Sequence, residues 1–395
     1  MPALNAMNLI LCSVLGVLLV PVTFLLVEVL SALRKGRERD KELPKRRPSI
    51  VVLVPAHDEE KVLGHALRAI LPQLEPSDRL VVVADNCSDS TSEVARSHGA
   101  TVVERQDPVR IGKGYALDFG ARYLEADPPE VVVVIDADCI PEDGAISQLA
   151  RAAASSGGPV QAAYLMTAPA GSQEETQLRE GMVLLKNLVR PLGLERLNLP
   201  CLLTGSGMAF PWPLFRKAPL ANGNRVDDMQ LAVDMAIAGA PPRFCPGAHV
   251  LNLLPAEPGA SRVQRSGWMQ GHLRTLVAQV PRLLSSAFRL RRPDLAILAL
   301  ELSVPPLSML ILLWTLASVF TLLVCWGGGI RWPLVAVAYG TVALAVAGGL
   351  FWTKFGRARV PAKALLAMPL LFRQSIIAAF AAAFTRPKPW VRTSR

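Results

Sequence analysis

Three clusters of oxygen-bearing side chains recur along the first part of the chain: Pro55-Ala-His-Asp-Glu-Glu60, Asp85-Asn-Cys-Ser-Asp89 and Asp136-Ala-Asp138. Two of the three are rich in carboxylates, and gathered in one place they would repel one another without a cation. A pair of aspartates one residue apart on a turn can hold Mg²⁺ or Mn²⁺ through oxygen, and the metal can then bind a diphosphate. The same spacing also occurs on ordinary solvated turns, so Asp136 and Asp138 taken alone leave both readings open. Two other nucleotide chemistries have no support. There is no GxxxxGK[ST] loop, and no GxGxxG follows the first apolar run. The six cysteines (Cys12, Cys87, Cys139, Cys201, Cys245 and Cys325) form no CxxC pair and read as reduced thiols. His249 and His272 lack the neighbours of a zinc site, and His65 and His98 read as surface residues of helices.

Short apolar runs precede each polar cluster. Ile50–Val54, Leu80–Val83 and Val131–Ile135 are continuous rather than alternating, the pattern of strands buried on both faces. Between the first two runs, Val62, Leu63, Ala66, Leu67, Ile70, Leu71 and Leu74 recur at helical spacing, and Gly112 to Ala126 forms another such stretch. Strands alternating with helices predict an α/β fold with a mostly parallel, Rossmann-like sheet. Ligands of such sheets bind outside the carboxyl ends of the strands, where all three polar clusters fall.

Composition sets the frame around this middle. Of 395 residues 51% are hydrophobic and 19% charged, which is apolar for a soluble chain and excludes a disordered, collagen-like or disulfide-scaffold protein. The 42 basic against 32 acidic side chains give +10, but many of the basic residues flank apolar runs, so no nucleic acid partner is expected. Met7 to Leu33 is long enough to cross a bilayer, which takes about 20 residues. Eight Lys/Arg against three acids follow between Arg34 and Arg47, so the next segment is expected in the cytosol, behind a retained anchor rather than a cleaved signal. Leu295 to Trp326 can cross and Trp332 to Trp352 can return. Ala364 to Phe384 carries Arg373-Gln374 at its centre and a basic tail, and is expected to lie along the cytosolic interface. The chain is thus expected to be a multi-pass inner-membrane protein: an anchor (1–33), a basic linker (34–47), a cytosolic domain (48–293), two transmembrane helices (294–353), and an interfacial helix with its tail (354–395). Glu28 and Glu301, inside apolar runs, are expected to face other helices or a headgroup.

The clusters, in this order, resemble the family 2 glycosyltransferases of GT-A fold, in particular their membrane-bound, cellulose synthase-like branch. The matching stretches are PAHDEE (55–60), ADNCSDST (84–91), GKGYALDFG (112–120), DADC (136–139), VQAAY (160–164), TGSGMAF (204–210), VDDMQL (226–231) and QRSGW (264–268), spanning about 215 residues. The tail Pro389 to Arg395 is also similar to that branch, although a basic segment held by anionic lipid would look the same.

The resemblance implies a set of roles. Pro55, Ala56, His57, Glu59 and Asp85 would line a uridine pocket, with Asp85 accepting from the uracil N–H. Lys113 would stand near the donor phosphates, and Asp136 and Asp138 would hold the metal, Mg²⁺ or Mn²⁺. Thr204, Gly205, Ser206 and Gly207 would shape the acceptor pocket. VDDMQL puts a catalytic base at Asp228, with Asp227 where the family has Glu. An inverting transfer needs one carboxylate to take the acceptor's proton, although the pair could equally cap the helix that follows. QRSGW departs from the family's QxxRW: Gln264 and Trp268 match, Gly267 replaces Arg, and Arg265 or Arg262 would stand in for it if the helix turns them inward. Trp268 could stack on an acceptor sugar or pack in the core. The implied activity is transfer of a sugar from a nucleotide donor, a UDP-sugar, to a membrane lipid or lipid-linked glycan. A processive polysaccharide synthase and an inactive membrane scaffold are the alternatives.

Overall fold

The computed structural model describes residues 2–35, 46–169, 171–221, 227–254, 258–328 and 330–384. Eight strands form one sheet: β1 (Ile50–Ala56), β2 (Arg79–Asp85), β3 (Thr101–Arg105), β4 (Val131–Val134), β5 (Ile140–Pro141), β6 (Val160–Thr167), β7 (Met208–Pro211) and β8 (Arg243–Leu253). Their order is β3-β2-β1-β4-β7-β6-β8-β5. β1 to β4 are mutually parallel, and β7 then enters antiparallel between β4 and β6. Strand order reverses between β1 and β4, which opens a crevice at their carboxyl ends.

The continuous apolar runs are buried on both faces, as their pattern requires. Val52, Val54, Val82 and Val133 pack with Leu63, Leu67 and Ile70 of helix α1 (Leu63–Ile70) and with Ile146 and Leu149 of α2 (Ala145–Ser156). Val51, Leu53, Val81 and Val134 point the other way, onto Leu117 and Leu124 of α3 (Lys113–Leu124) and Leu231 of α4 (Asp227–Ile237). β3 was not singled out in the sequence. It is short and partly exposed at the sheet edge, so its pattern is not continuous.

Three helices among those described are long and apolar enough to cross a membrane, within Met7–Ala32, Leu307–Trp326 and Pro333–Gly356. The expected crossing Leu295–Trp326 is corrected in extent. It divides at Val304-Pro305-Pro306, because proline lacks the N–H a helix needs and disfavours helical backbone in the residue before it. The first piece, Pro293–Ser303, buries Leu295, Leu298 and Leu302 in the core beside the sheet; only the second is a candidate span. Met368–Phe384 is not among the candidate spans. Midway along it, Gln374 donates to Glu175 Oε1 at 2.9 Å and accepts from Arg179 at 3.4 Å, which fastens the helix to Glu174–Leu184 of the sheet domain.

The first apolar helix, Pro2–Ala32, docks on the helix Arg190–Arg196. Arg190 donates to both oxygens of Glu28, at 2.6 and 3.3 Å, and to the Glu301 carbonyl at 3.1 Å. Glu28 therefore faces protein, as expected for an acid within an apolar run. The helices meet at Gly193, where a Cβ would fall 2.0 Å from the Glu28 carbonyl oxygen. Gly193→Ala should force them apart and cost about 1–3 kcal/mol, the usual penalty for overpacking. The purified protein should melt several degrees lower, whereas Gly16→Ala, with nothing within 4 Å of its new methyl, should not lower the melting temperature.

Candidate active site

The three polar clusters converge at the carboxyl ends of β1, β2 and β4. Pro55 and Ala56 end β1, and Ala56 is paired in register with Ala84 of β2. His57 donates from Nδ1 to the Asp85 carbonyl at 2.7 Å. The acids of the first cluster bind the second loop rather than one another. Asp58 accepts from the Ser88 and Asp89 amides, at 2.6 and 3.3 Å, and these bonds, opposed by partial burial, hold its carboxyl below the usual range. Glu60 accepts from the Ser90 amide, and the Glu59 amide donates to Thr91 Oγ1. The repulsion expected among these clusters is thus met by backbone donors and by arginine.

That arginine is Arg105, at the end of β3. Its Nη1 donates to Asp85 Oδ1 at 2.5 Å, in a pair with both side chains buried, and its Nη2 donates to Asp107 at 3.0 Å. Its guanidinium also lies over the Tyr115 ring, 5.7 Å from the centroid. A cavity of about 360 Å³ opens beside it, lined by Arg105, Arg110, Tyr115, Phe119 and Arg122 among others. The sequence reading missed Arg105. Its signal was the apolar pair Val102-Val103 before a charged turn.

The second half of the site is built on β4 and β7. Because Val134 is paired with Met208, the segment Thr204–Gly207 runs alongside Asp136. The Asp136 amide donates to Ser206 Oγ at 3.0 Å. Gln161 ties this segment to β6: its Nε2 donates to the Ser206 carbonyl at 2.8 Å and its Oε1 accepts from the Thr204 amide at 2.8 Å. Gly205 has φ +97°, a conformation open mainly to glycine, and a Cβ there would meet Asp228 Oδ2 at 3.4 Å and Lys113 Nζ at 3.7 Å. Lys113, at the start of α3, ion-pairs with Asp136 Oδ1 and donates to the Gly205 carbonyl at 2.6 Å. Asp228, in the first turn of α4, accepts from the Met229 amide at 2.9 Å and lines one small cavity with Lys113. Its other oxygen, Oδ2, is the one that lies against Gly205.

Asp136, Asp138 and Cys139 bring ligand atoms within 4.8 Å of one another. Burial and the two neighbouring carboxylates push the Cys139 thiol well above its usual range, so it stays protonated and donates to Asp138 Oδ1 at 3.3 Å. What remains is a hard, two-carboxylate oxygen set, which suits Mg²⁺ or Mn²⁺ and not a thiolate-seeking metal. The side chains of Asp227, Gln264, Arg265 and Trp268 lie outside the described residues, as does the tail 385–395.

A parallel β3-β2-β1-β4 half-sheet, an antiparallel strand entering beyond it and an aspartate pair at the end of β4 define the GT-A class of sugar transferase folds. The chain belongs to the glycosyltransferase-like family 2, whose profile matches residues 48–271, more than half of its length. A probable glycosyltransferase of Bacillus subtilis, YdaM, is 36% identical over 125 residues, covering 29% of this chain and 28% of the relative. The 4,4'-diaponeurosporenoate glycosyltransferase of Staphylococcus aureus is 40% identical over 108 residues, covering 27% and 28%. The chain therefore aligns with just over a quarter of the length of these curated relatives. The mannosyltransferase PcManGT of Pyrobaculum calidifontis, solved with GDP-Man and Mn²⁺, shares the fold over 97% of this chain and 99% of its own, with TM-score 0.56 and 17% identity. Glucosyl-3-phosphoglycerate synthase of Mycobacterium tuberculosis, solved with Mn²⁺, UDP-glucose and phosphoglyceric acid, is 27% identical over 60% of this chain and 85% of its own, with TM-score 0.39.

The buried Arg105–Asp85 pair makes a measurable contribution to stability. Arg105→Met alone leaves a buried carboxylate without its cation and should cost about 3–5 kcal/mol. The double variant Arg105→Met/Asp85→Leu should recover most of that loss, as read by chemical denaturation of the purified protein.

Proposed function

We propose that this chain is a membrane-bound, inverting glycosyltransferase that moves a sugar from a nucleotide donor, a UDP-sugar, to a lipid or lipid-linked glycan. The observation that carries the reading is the meeting of Asp228, Gly205, Lys113 and Asp136 at the sheet edge: a carboxylate able to take a proton stands next to a cation and a metal-type oxygen pair. The S. aureus relative, named for 4,4'-diaponeurosporenoate, supports a lipid-like acceptor, and PcManGT, solved with GDP-Man and Mn²⁺, supports a nucleotide-sugar donor with a divalent metal.

In this reading Pro55, Ala56, His57 and Glu59 shape the nucleotide pocket. Asp85 turns one oxygen to the base while Arg105 holds the other. Asp136 and Asp138 hold Mg²⁺ or Mn²⁺, which when bound offsets the charge developing on the departing diphosphate. Lys113, on the same cluster, lies within reach of donor phosphates. Asp228 removes the proton of the attacking hydroxyl, with Asp227 beside it. Thr204, Ser206 and Gly207 join Gly205 in forming the floor on the acceptor side, to which the family resemblance also assigns Gln264, Arg265 and Trp268. The segment 48–293 is the cytosolic domain, the positive charge of 34–47 favours that side, and the clamp on Gln374 joins the domain to the helix proposed to lie along the inner leaflet. A soluble donor and an acceptor confined to the bilayer meet most readily in an enzyme built this way.

The test is release of nucleoside diphosphate from a panel of nucleotide sugars by the full-length protein with Mn²⁺ and native lipids. One donor should be consumed in a metal-dependent manner. Asp228→Asn should lower turnover by about 10²–10⁴-fold while donor binding is kept, the loss typical of a missing general base. Asp136→Asn and Asp138→Asn should instead raise the Mn²⁺ concentration needed for half-maximal rate. Absence of turnover together with absence of nucleotide-sugar binding would leave the inactive scaffold as the reading.

A further inference from the structure

Between Asp228 and the membrane-side helices lies a group of polar side chains that the donor site does not use. Lys186 sits on the π-turn Leu185–Val189, an irregularity often found where a helix serves a site. Asp228, Arg190 and Glu301 are near enough to act on its charge, and surrounding protein pulls its ammonium below the usual lysine range. Its side chain nevertheless keeps accessible surface. His272, on the helix Pro258–Leu290, is 7% exposed and feels Lys186 and Arg190. Glu301 is 5% exposed and feels Lys186, Arg190 and Glu28.

Several of these buried atoms have no hydrogen-bond partner: His272 Nε2, Glu301 Oε2 and, on the segment between them and the base, Thr204 Oγ1. That segment joins the two ends of the group. The Leu202 amide bonds to Glu301, and Gly205 lies against Asp228. Folded proteins leave few buried polar atoms unpaired, and three linked through the backbone at Leu202 and Val304 call for partners of their own.

The chemistry of the group selects its partner. Burial pushes the Glu301 carboxyl up to about 8 and, with two cations nearby, the His272 imidazole down to about 3, so both are uncharged near neutral pH. The Val304 carbonyl engages His272, and since Nε2 is unpaired it does so through Nδ1, which leaves Nε2 as a bare acceptor. A protonated Glu301 offers a donor, and Thr204 offers both. Arg190 is answered by Glu28, and Lys186 faces Asp228. A phosphate would find little uncompensated positive charge and an acceptor lone pair against it. A hydroxyl, which donates and accepts at once, matches every position.

We propose that Lys186, Thr204, His272 and Glu301 form the subsite for the acceptor's head, and that this head is an uncharged polyol, a sugar or glycerol group on a lipid. The proposal rests on the transferase reading above and names the acceptor class for that site.

The test uses the full-length protein in lipid nanodiscs without sugar detergents, Mn²⁺ and the donor that the panel selects. Hexyl β-D-glucoside and hexyl phosphate are compared as probes. The glucoside should raise nucleoside diphosphate release saturably and the phosphate should not. Lys186→Met, at a side chain that keeps accessible surface, and Glu301→Leu should raise the glucoside KM at least tenfold with kcat within threefold. Glu301→Gln, which keeps a neutral donor, should restore most of the affinity. Preference for hexyl phosphate, no stimulation by the glucoside, or an unmoved KM in both Lys186→Met and Glu301→Leu would overturn the subsite. If the parent protein fails to bind any nucleotide sugar by calorimetry, the transferase reading falls and takes the subsite with it.

Discussion

The constraint on which this structure depends is electrostatic. Carboxylates from four separate segments must sit at one edge of one sheet without driving the segments apart. At 4 Å two like charges repel by about 4 kcal/mol in surroundings typical of a protein surface, so each must be answered locally. Asp85 is answered by Arg105, Asp136 by Lys113, and Asp58 by backbone amides of the neighbouring loop. Each cation comes from a different element from its acid, so the ion pairs also lock the loops together. The reversal of strand order between β1 and β4 supplies the crevice, and the antiparallel entry of β7 carries Gly205 to within reach of both Lys113 and Asp228.

The same logic is repeated on the other side of the domain with fewer charges. Glu28 and Arg190 satisfy one another between an apolar helix and the sheet domain, and the leftover Arg190 hydrogen goes to the carbonyl of Glu301. The ion pair therefore sets the distance between the catalytic half and the helices next to it. Gly193 matters for that reason: its missing side chain lets two backbones touch where the pair is made.

Much of the parallel half of the sheet was legible because its strands are buried on both faces and read as unbroken apolar runs. The polar residues after them were legible for the same reason, since a buried parallel strand can display function only at its end. β3 was not, because an edge strand needs no continuous apolar pattern. β6 and β8 were not assigned from their runs, in which apolar and small residues mix with Gln161, Pro246 and His249. The Pro305-Pro306 break was visible but was overridden by the hydropathy around it. Lys186 and Arg190, four residues apart in an otherwise apolar stretch, were a signal that went unread. Arg190 meets Glu28, 162 residues away, so its partner could not be read from its own stretch.

The Glu28–Arg190 contact also bears on how such a chain is made. Its partners are 162 residues apart, with the acid emerging from the ribosome first. At roughly 5–20 residues per second, the first apolar helix is complete for about 8–30 s before its arginine exists. During that interval the Glu28 carboxylate must be held by water or by other polar groups, since an acid within an apolar run has no partner of its own. Arrival of Arg190 then ends the wait, so that the pairing of one buried acid and the docking of the first helix on the sheet domain become a single event in biogenesis.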